Sequence, residues 1–250
     1  MKFIALTCEA LARGVHDIAV ETSHTVSVQL FKQGLHNRPK NLQSVLQEQI
    51  DAITPGECDA ILLVYGLCGL STVGLSSTHT QLVIPRAHDC ITLYLGSRDR
   101  YKEEFDRHPG TYWYSADYME REEDGESVTL GAAGIEETEA QYEKYVQKFG
   151  PAKAELLMEE LRKWSQHYTR AVFIETGQDD SQRYEAMAKE KAEQEGWVYE
   201  RRVGNRRLLK MLLSGQWPDE DFLVVRPGQK IGQSYGDDIV RSLPAEPDEK

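Results

Sequence analysis

The sequence lacks the features that would place it in a membrane, on nucleic acid or outside the cell. No apolar stretch approaches the length of a membrane span, and the apolar run at residues 3–7 is too short for a signal peptide. No run rich in Lys and Arg is present, and the formal net charge of −12 argues against binding to a phosphate backbone. These absences predict a cytoplasmic protein that has no nucleic-acid or membrane partner and acts on a small-molecule substrate.

Cysteine is also scarce. The chain has four cysteines, and no Cys-x-x-Cys motif occurs. Because no export signal is visible, these cysteines are expected to be reduced, and metal binding or catalysis explains them better than disulfide bonds do. Cys58 precedes its predicted strand, so we expect it at the opposite end from the other three, as a buried bystander.

The pattern of apolar residues indicates an α/β fold. Short apolar runs alternate with amphipathic stretches, which is typical of βαβ units and a largely parallel sheet. Strands are predicted at residues 2–7, 25–31, 60–65, 81–85, 170–175, 197–201 and 222–226, with a short aromatic strand or loop at 111–114. Helices are predicted at residues 41–53, 97–105, 181–195 and 205–213. The sequence therefore predicts two packed Rossmann-like halves with mainly parallel sheets, bridged by a long helical hairpin in which Pro151 separates two helices.

These elements predict four segments along the chain. Residues 1–118 form an N-terminal α/β half that carries the Cys/His site, and residues 119–169 comprise an acidic segment and the helical hairpin. Residues 170–236 form the C-terminal α/β half, and residues 237–250 are a polar tail that is expected to fray.

Candidate functional residues follow each of the first four predicted strands. In an open parallel sheet, ligands bind at the carboxyl ends of the strands, because the loops converge there. Each of these strands is followed by a soft or titratable group, so we expect these groups to meet at one edge. The candidate residues, including two glycines of the third loop, are Cys8 and Glu9 after the first strand, His36 after the second, Gly66, Cys68 and Gly69 after the third, and Arg86, His88, Asp89 and Cys90 after the fourth.

Thiolates and imidazole are ligands that soft or borderline metals select. Cys8, Cys68, His88 and Cys90 could hold a zinc ion tetrahedrally. If all four bind, the site is closed and structural; if three bind, one position stays open for a substrate. Alternatively, the three cysteines could hold a [4Fe–4S] cluster that leaves one iron free. The sequence does not separate zinc from iron.

Four other side chains have candidate roles beside the metal. Arg86 offers a bidentate fork for a substrate carboxylate or phosphate, and a surface salt bridge is the alternative for it. His36 titrates near neutrality and could act as a general base or as an extra ligand. Glu9, together with Asp89, could orient metal-bound groups, although capping of a helix is the alternative role for Asp89.

The loop after the third strand is rich in glycine. Gly66 and Gly69 could let backbone N–H groups approach a bound cofactor, but their spacing matches neither the dinucleotide fingerprint nor the P-loop. Tight turning around Cys68 is the simpler interpretation of both glycines.

Several short motifs resemble those of the family catalogued as domain of unknown function 1638. They are Gly-Leu-His at residues 34–36, Tyr-Gly-Leu-Cys-Gly at 65–69, Pro-Arg-Ala-His-Asp-Cys at 85–90, Leu-Gly-Ser-Arg at 95–98 and Pro-Gly-Thr-Tyr-Trp at 109–113. The resemblance covers nearly the whole chain and implies no defined activity. Similar proteins occur largely in anaerobes and methanogens, often beside corrinoid-dependent methyl-transfer systems, so the resemblance implies a corrinoid protein as a partner.

These observations together favour a metal-dependent enzyme. His88-x-Cys90 with a remote cysteine is similar to the zinc motif of cobamide-dependent methyltransferases, which implies methyl or other one-carbon transfer, although those enzymes have a different fold. Two alternatives remain open: a [4Fe–4S] lyase or reductase with three cysteine ligands, and a non-catalytic metal-binding accessory protein of corrinoid methyltransferases.

Overall fold

The computed structural model describes residues 1–120, 139–165, 167–177 and 179–245, and in this part the chain forms ten β-strands and nine α-helices. The strands are β1 (Lys2–Cys8), β2 (Thr25–Phe31), β3 (Ala60–Val64), β4 (Leu82–Pro85), β5 (Thr111–Ser115), β6 (Arg170–Glu175), β7 (Val198–Val203), β8 (Phe222–Val225), β9 (Gln229–Gln233) and β10 (Val240–Pro244). The helices are α1 (Ala12–Glu21), α2 (Pro39–Ala52), α3 (Cys90–Leu95), α4 (Arg98–Arg107), α5 (Ala116–Met119), α6 (Glu139–Phe149), α7 (Pro151–Ser165), α8 (Ser181–Glu195) and α9 (Arg207–Leu213). Short 3-10 helices lie at Glu9–Leu11 and Gln33–Asn37.

The first compact unit comprises Met1–Tyr101 and Asn205–Lys250. Its five-stranded sheet has the order β2-β1-β3-β4-β8, in which the first four strands are parallel and β8 runs antiparallel to β4. The central strand β3 consists of five buried apolar residues, as expected for a parallel strand that is covered on both faces. The antiparallel pair β9 and β10 belongs to the same unit.

The second compact unit comprises Lys102–Gly204. Its sheet has the order β5-β6-β7 with all strands parallel. Aromatic side chains of β5 and β6 form the core together with two alanines of α8, which let the helix approach the sheet closely. The buried core residues of this cluster include Tyr112, Tyr114, Phe173, Ala188 and Ala192.

The structure confirms the α/β class and the mainly parallel sheets, and the helical hairpin is present as α6 and α7. The predicted boundaries of the halves were wrong. The strand β8 and the helix α9 belong to the first unit, β5 pairs with β6 in the second, and the hairpin lies within the second unit. Sequence order does not specify strand pairing, and β8 closes an edge of β4 that the chain would otherwise leave unpaired.

Two further predictions concern the ends of segments. The predicted polar tail is wrong for Val240–Pro244, because these residues form β10 and pair with β9. Most of the predicted acidic segment, residues 121–138, lies outside the described residues.

Across the described ranges, no helix combines the length and the apolar character that crossing a membrane requires.

Candidate functional site

Two loops at the carboxyl ends of β3 and β4 are joined by backbone hydrogen bonds. The N–H of Leu67 donates to the carbonyl of Ala87 at 2.8 Å, and the N–H of Cys68 donates to the carbonyl of His88 at 2.9 Å. Gly66 makes this contact possible, because a Cβ there would lie 2.6 Å from the backbone nitrogen of Asp89 and 2.8 Å from the carbonyl oxygen of Ala87. The pairing brings the segments that carry Cys68 and Cys90 side by side.

The backbone at Cys68 adopts an uncommon conformation. Cys68, Gly69 and Leu70 have φ angles of 45°, 64° and 73°, so two residues with a Cβ lie in the left-handed region. Such residues cost about 1–3 kcal/mol each and persist where the surroundings hold them. The hydroxyl of Thr72, which donates to the carbonyl of Gly66, contributes to this support. Strained backbone of this kind clusters at functional sites, which is consistent with a role for Cys68.

Asp89 caps the helix that Cys90 begins. Its Oδ1 accepts a hydrogen bond from the N–H of Ile91 at 2.9 Å, so the capping role considered for this residue is present. Its Oδ2 accepts a hydrogen bond from the hydroxyl of Tyr101 at 3.0 Å. Burial raises the pKa of this carboxyl, although the hydrogen bonds from Tyr101 and the helix backbone act in the opposite direction.

Cys8, Cys68 and Cys90, which we call the thiol cluster, interact with one another. Cys8 ends β1, the neighbour of β3, and is 8% exposed. Burial raises the pKa of Cys68 and Cys90; charge on Cys8 and Asp89 raises that of Cys68 further, and charge on Asp89, Cys68 and Cys8 raises that of Cys90 further. All three pairs of thiols therefore lie within electrostatic range of one another.

Cys58 lies apart from the thiol cluster. It is buried just before β3, and its pKa is raised by burial and by the charge of Glu57. Its position agrees with the bystander role expected from the sequence.

The thiol cluster is not preformed as a coordination shell. Within the described residues, no three His, Cys, Asp or Glu side chains are already arranged to hold one metal ion. Electrostatic interactions extend several ångströms beyond a zinc–sulfur bond of about 2.3 Å. The thiols are therefore neighbours that would have to move closer together to bind one ion.

His88 lies beside the thiol cluster as an exposed ring. Its charge lowers the pKa of Asp89, and its ring centroid is 6.2 Å from that of Tyr101. Of the four predicted ligands, His88 is the most exposed to solvent, so the three thiols form the more coherent set.

His36 and Glu9 occupy the 3-10 helices after β2 and β1. Burial lowers the pKa of His36, and a hydrogen bond with the backbone of Gln33 acts in the opposite direction. The lowered pKa favours the neutral imidazole, the form that a general base or a metal ligand requires. Glu9 is partly buried, and its charge raises the pKa of Tyr65. Glu9 therefore lies near the hydroxyl of Tyr65. Negative charge on Cys8 or Cys68 also raises the pKa of Tyr65.

Arg86 does not fit the predicted role of holding a substrate. It is 7% exposed, and its guanidinium donates to the Asp219 carbonyl at 2.6 Å, the Asp238 carbonyl at 3.1 Å and the Val240 carbonyl at 2.5 Å. It also donates to the Asp219 carboxylate at 3.0 Å. A buried charge of this kind is satisfied by its own chain, so Arg86 ties β4 to the segments that flank β8 and β10.

The predicted cofactor-binding role of Gly66 and Gly69 is replaced by a structural one. The surface of Gly66 is covered by the backbone of residues 87–89. Gly69 has a positive φ, and a Cβ there would lie 3.2 Å from Cγ of Pro39. Both glycines therefore serve the tight turning of the chain around Cys68, the simpler interpretation.

Two tyrosines of the site were not predicted. Tyr65 follows β3 directly and is 3% exposed, and its hydroxyl has no hydrogen-bond partner in the described part of the chain. Tyr101 lies on α4 and is hydrogen-bonded to Asp89. The position of Tyr65 after a buried strand was a usable signal, whereas that of Tyr101 depends on how α4 packs.

Comparison with known protein families identifies the family of the chain. A family model described as "Protein of unknown function (DUF1638)" matches residues 30–213, well over half of the chain. The matched region contains Cys68, His88 and Cys90 and begins after Cys8. Neither the curated proteins nor the solved structures contain a match.

Proposed function

Because the chain belongs to the DUF1638 family, whose description gives no function, we propose one from the site: the thiol cluster binds a metal centre that activates a small-molecule substrate. The observation that carries this proposal is the convergence of Cys8, Cys68 and Cys90. Cys8 ends β1, Cys68 lies in the loop after β3 and Cys90 begins α3, and each pair lies within electrostatic range at one end of the first sheet.

The electrostatic surroundings of the thiol cluster support a cation as its occupant. Two carboxylates, Glu9 and Asp89, lie close enough to act on the groups of the site, and charge on Cys8 raises the pKa of both Cys68 and Cys90. Because burial and nearby negative charge raise the pKa of Cys68 and Cys90, both thiols stay protonated in the absence of a cation. A bound divalent ion reverses these effects, because it stabilises thiolates and releases their protons.

Three thiol ligands leave a coordination position open. With His88 exposed, the centre would be held by the thiol cluster, and a substrate could occupy the remaining position. Asp89 and Glu9 would orient the bound groups, and neutral His36 would accept a proton from the substrate. Zinc would supply Lewis acidity at this position.

A [4Fe–4S] cluster is the second candidate occupant, and the same exposure of His88 favours it. Three cysteines suffice to hold such a cluster, and the iron that lacks a protein ligand would bind the substrate of a lyase or reductase. This candidate predicts a brown protein after anaerobic purification. The zinc candidate predicts a colourless protein with one zinc ion per chain.

Metal analysis of anaerobically purified protein tests the proposal. We expect one metal centre per chain, and we expect Cys8→Ser, Cys68→Ser and Cys90→Ser each to lose most of it. Cys58→Ser is the matched control, since Cys58 is buried to the same degree as Cys8 but lies outside the thiol cluster, and it should retain the metal. Full metal retention in all three cluster variants would contradict the proposal.

The reaction that we propose for the zinc form is methyl or other one-carbon transfer, with a corrinoid protein as partner. Its support is the resemblance of His88-x-Cys90 with a remote cysteine to a zinc motif that activates a thiol, and of that motif the cysteines belong to the thiol cluster while His88 is exposed. In this transfer the substrate thiol loses its proton, its sulfur bonds to the methyl carbon, and the cobalt–carbon bond breaks to leave cob(I)alamin.

Methylation of 2-mercaptoethanol by methylcobalamin, followed by visible absorption, measures this reaction. We expect acceleration by the zinc-loaded protein and none by Cys68→Ser. Capture of a corrinoid protein with no turnover would instead indicate the non-catalytic accessory role.

A further inference from the structure

Tyr65 has a buried hydroxyl whose donor is not used within the described chain. The side chain is 3% exposed, and its oxygen has no hydrogen-bond partner there. Buried polar groups in folded proteins almost always have a partner, and each exception calls for a specific explanation. The donor of Tyr65 is therefore a candidate contact for a bound molecule.

Two other tyrosines of the same unit differ from Tyr65 in this respect. The hydroxyl of Tyr94 donates to the carbonyl of Ala10, and the hydroxyl of Tyr101 donates to Asp89. Both use their donors within the fold, so the unused donor of Tyr65 is not a general property of tyrosines in this region.

The hydroxyl of Tyr65 lies at the thiol cluster. Tyr65 follows β3 directly and shares its loop with Cys68, Cys8 ends the neighbouring parallel strand β1, and Glu9 follows Cys8 at the same edge of the sheet. A molecule bound to a metal at the thiol cluster would lie within the same group of side chains.

We propose that the Tyr65 hydroxyl donates a hydrogen bond to an oxygen or sulfur acceptor of an uncharged small molecule bound at the thiol cluster. The inference rests on the proposed metal site and names its substrate class. The substrate is uncharged because Glu9 and Asp89 repel an anion and the bound metal ion repels a cation. Arg86, the side chain predicted to hold a carboxylate or phosphate, is committed to Asp219, Asp238 and Val240.

Binding of two small thiols to the Co²⁺-loaded protein tests the inference. 2-Mercaptoethanol and mercaptoacetate are similar in size and differ in charge, and their binding is measured by the visible spectrum of cobalt. We expect the wild type to bind 2-mercaptoethanol more tightly. We expect Tyr65→Phe to bind Co²⁺ as the wild type does, with its affinity for 2-mercaptoethanol reduced about 5-fold by the loss of one hydrogen bond.

The stability of the metal-free protein gives an independent readout. Tyr65→Phe removes a hydroxyl that has no partner, so its melting temperature should equal or exceed that of the wild type. Tyr94→Phe is the matched control, since it removes a hydroxyl that donates to Ala10, and it should melt about 2–4 °C lower.

The outcomes separate this inference from the proposed function. If the wild type fails to bind Co²⁺, the zinc form of the metal site is wrong and the inference falls with it, whereas the [4Fe–4S] form is decided by the metal analysis. If the wild type binds Co²⁺ and Tyr65→Phe retains full affinity for 2-mercaptoethanol, the metal site stands and the role of Tyr65 is overturned. Tighter binding of mercaptoacetate than of 2-mercaptoethanol would overturn the substrate class. A melting temperature of Tyr65→Phe lowered as far as that of Tyr94→Phe would show that its hydroxyl is used within the fold.

Discussion

The N–H of Cys68 donates to the carbonyl of His88 at 2.9 Å, so a loop after β3 is joined to a loop after β4 beyond the ends of the strands themselves. This bond and the one from Leu67 to Ala87 place the Cys68 and Cys90 segments next to each other. The arrangement of the thiol cluster therefore depends on backbone geometry as well as on the cysteine side chains.

Gly66→Ala should disrupt the contact between these loops. The added Cβ would lie 2.6 Å from the backbone nitrogen of Asp89, and backbone cannot move aside as a flexible side chain can. We expect destabilisation of about 1–3 kcal/mol in urea unfolding, together with loss of metal binding. Gly34→Ala is the control, because its Cβ would meet nothing within 4 Å, and it should change stability by less than about 0.5 kcal/mol. Unchanged metal binding by Gly66→Ala would contradict this role of Gly66.

The Leu70→Gly variant of the protein should be more stable than the Leu70→Ala variant. Its φ is 73°, in the left-handed region, and its side chain is 47% exposed, so little packing is lost on truncation. Because a Cβ costs roughly 1–2 kcal/mol in this region, Leu70→Gly should exceed Leu70→Ala in unfolding free energy by about 1 kcal/mol. At an exposed residue of ordinary φ, alanine would be the more stable of the two. A higher unfolding free energy for Leu70→Ala than for Leu70→Gly would contradict the strain inferred for this loop.

Arg86→Met should destabilise the first unit rather than impair substrate binding in a folded protein. The substitution leaves the carbonyls of Asp219, Asp238 and Val240 without their charged donor. We expect a loss on the order of 3 kcal/mol in the free energy of unfolding. Arg226→Met, at an exposed position, is the control and should be nearly neutral. A variant with wild-type stability and a selective loss of substrate affinity would restore the role predicted from the sequence.

Glu104 should make the second unit sensitive to acid. Burial opposes its ionisation, but hydrogen bonds from Arg202 and Arg170, both 2.6 Å long, together lower its pKa below the ordinary value of 4.5. A carboxyl with a lowered folded-state pKa adds stability above its unfolded-state pKa and loses that contribution as the pH falls through the folded-state pKa.

Thermal unfolding as a function of pH measures this contribution. Wild type should be more stable than Glu104→Gln at neutral pH, and the difference should shrink as the pH falls below about 4.5. The exposed neighbour Glu103→Gln serves as the control, and its difference from wild type should stay small at every pH. A constant difference for Glu104→Gln across this range would argue against the ion pair as the cause.

Arg86 shows where the prediction from sequence failed. A guanidinium after a strand could bind a ligand or its own chain, and the partners that decide between these roles lie 133 to 154 residues away in the sequence. The pairing of β8 with β4 was missed for the same reason, because an antiparallel edge strand from a distant segment leaves no local signal. The positions of Cys8, Cys68 and Cys90 after parallel strands follow from the sequence, because the rule that parallel strands end at one edge needs only the positions of strands, whereas their meeting within coordinating reach stays a prediction.

The sequence by itself determined the α/β class, most of the strands and the group of thiols after the first, third and fourth of them, because apolar periodicity and the direction of parallel strands are local properties. Only the tertiary structure decided that Arg86 hydrogen-bonds to its own chain and that Gly66 lies against the backbone of residues 87–89. It also decided that the hydroxyl of Tyr65 has no hydrogen-bond partner in the described chain. Each of these depends on contacts between segments far apart in the sequence, and their packing is fixed by the fold as a whole.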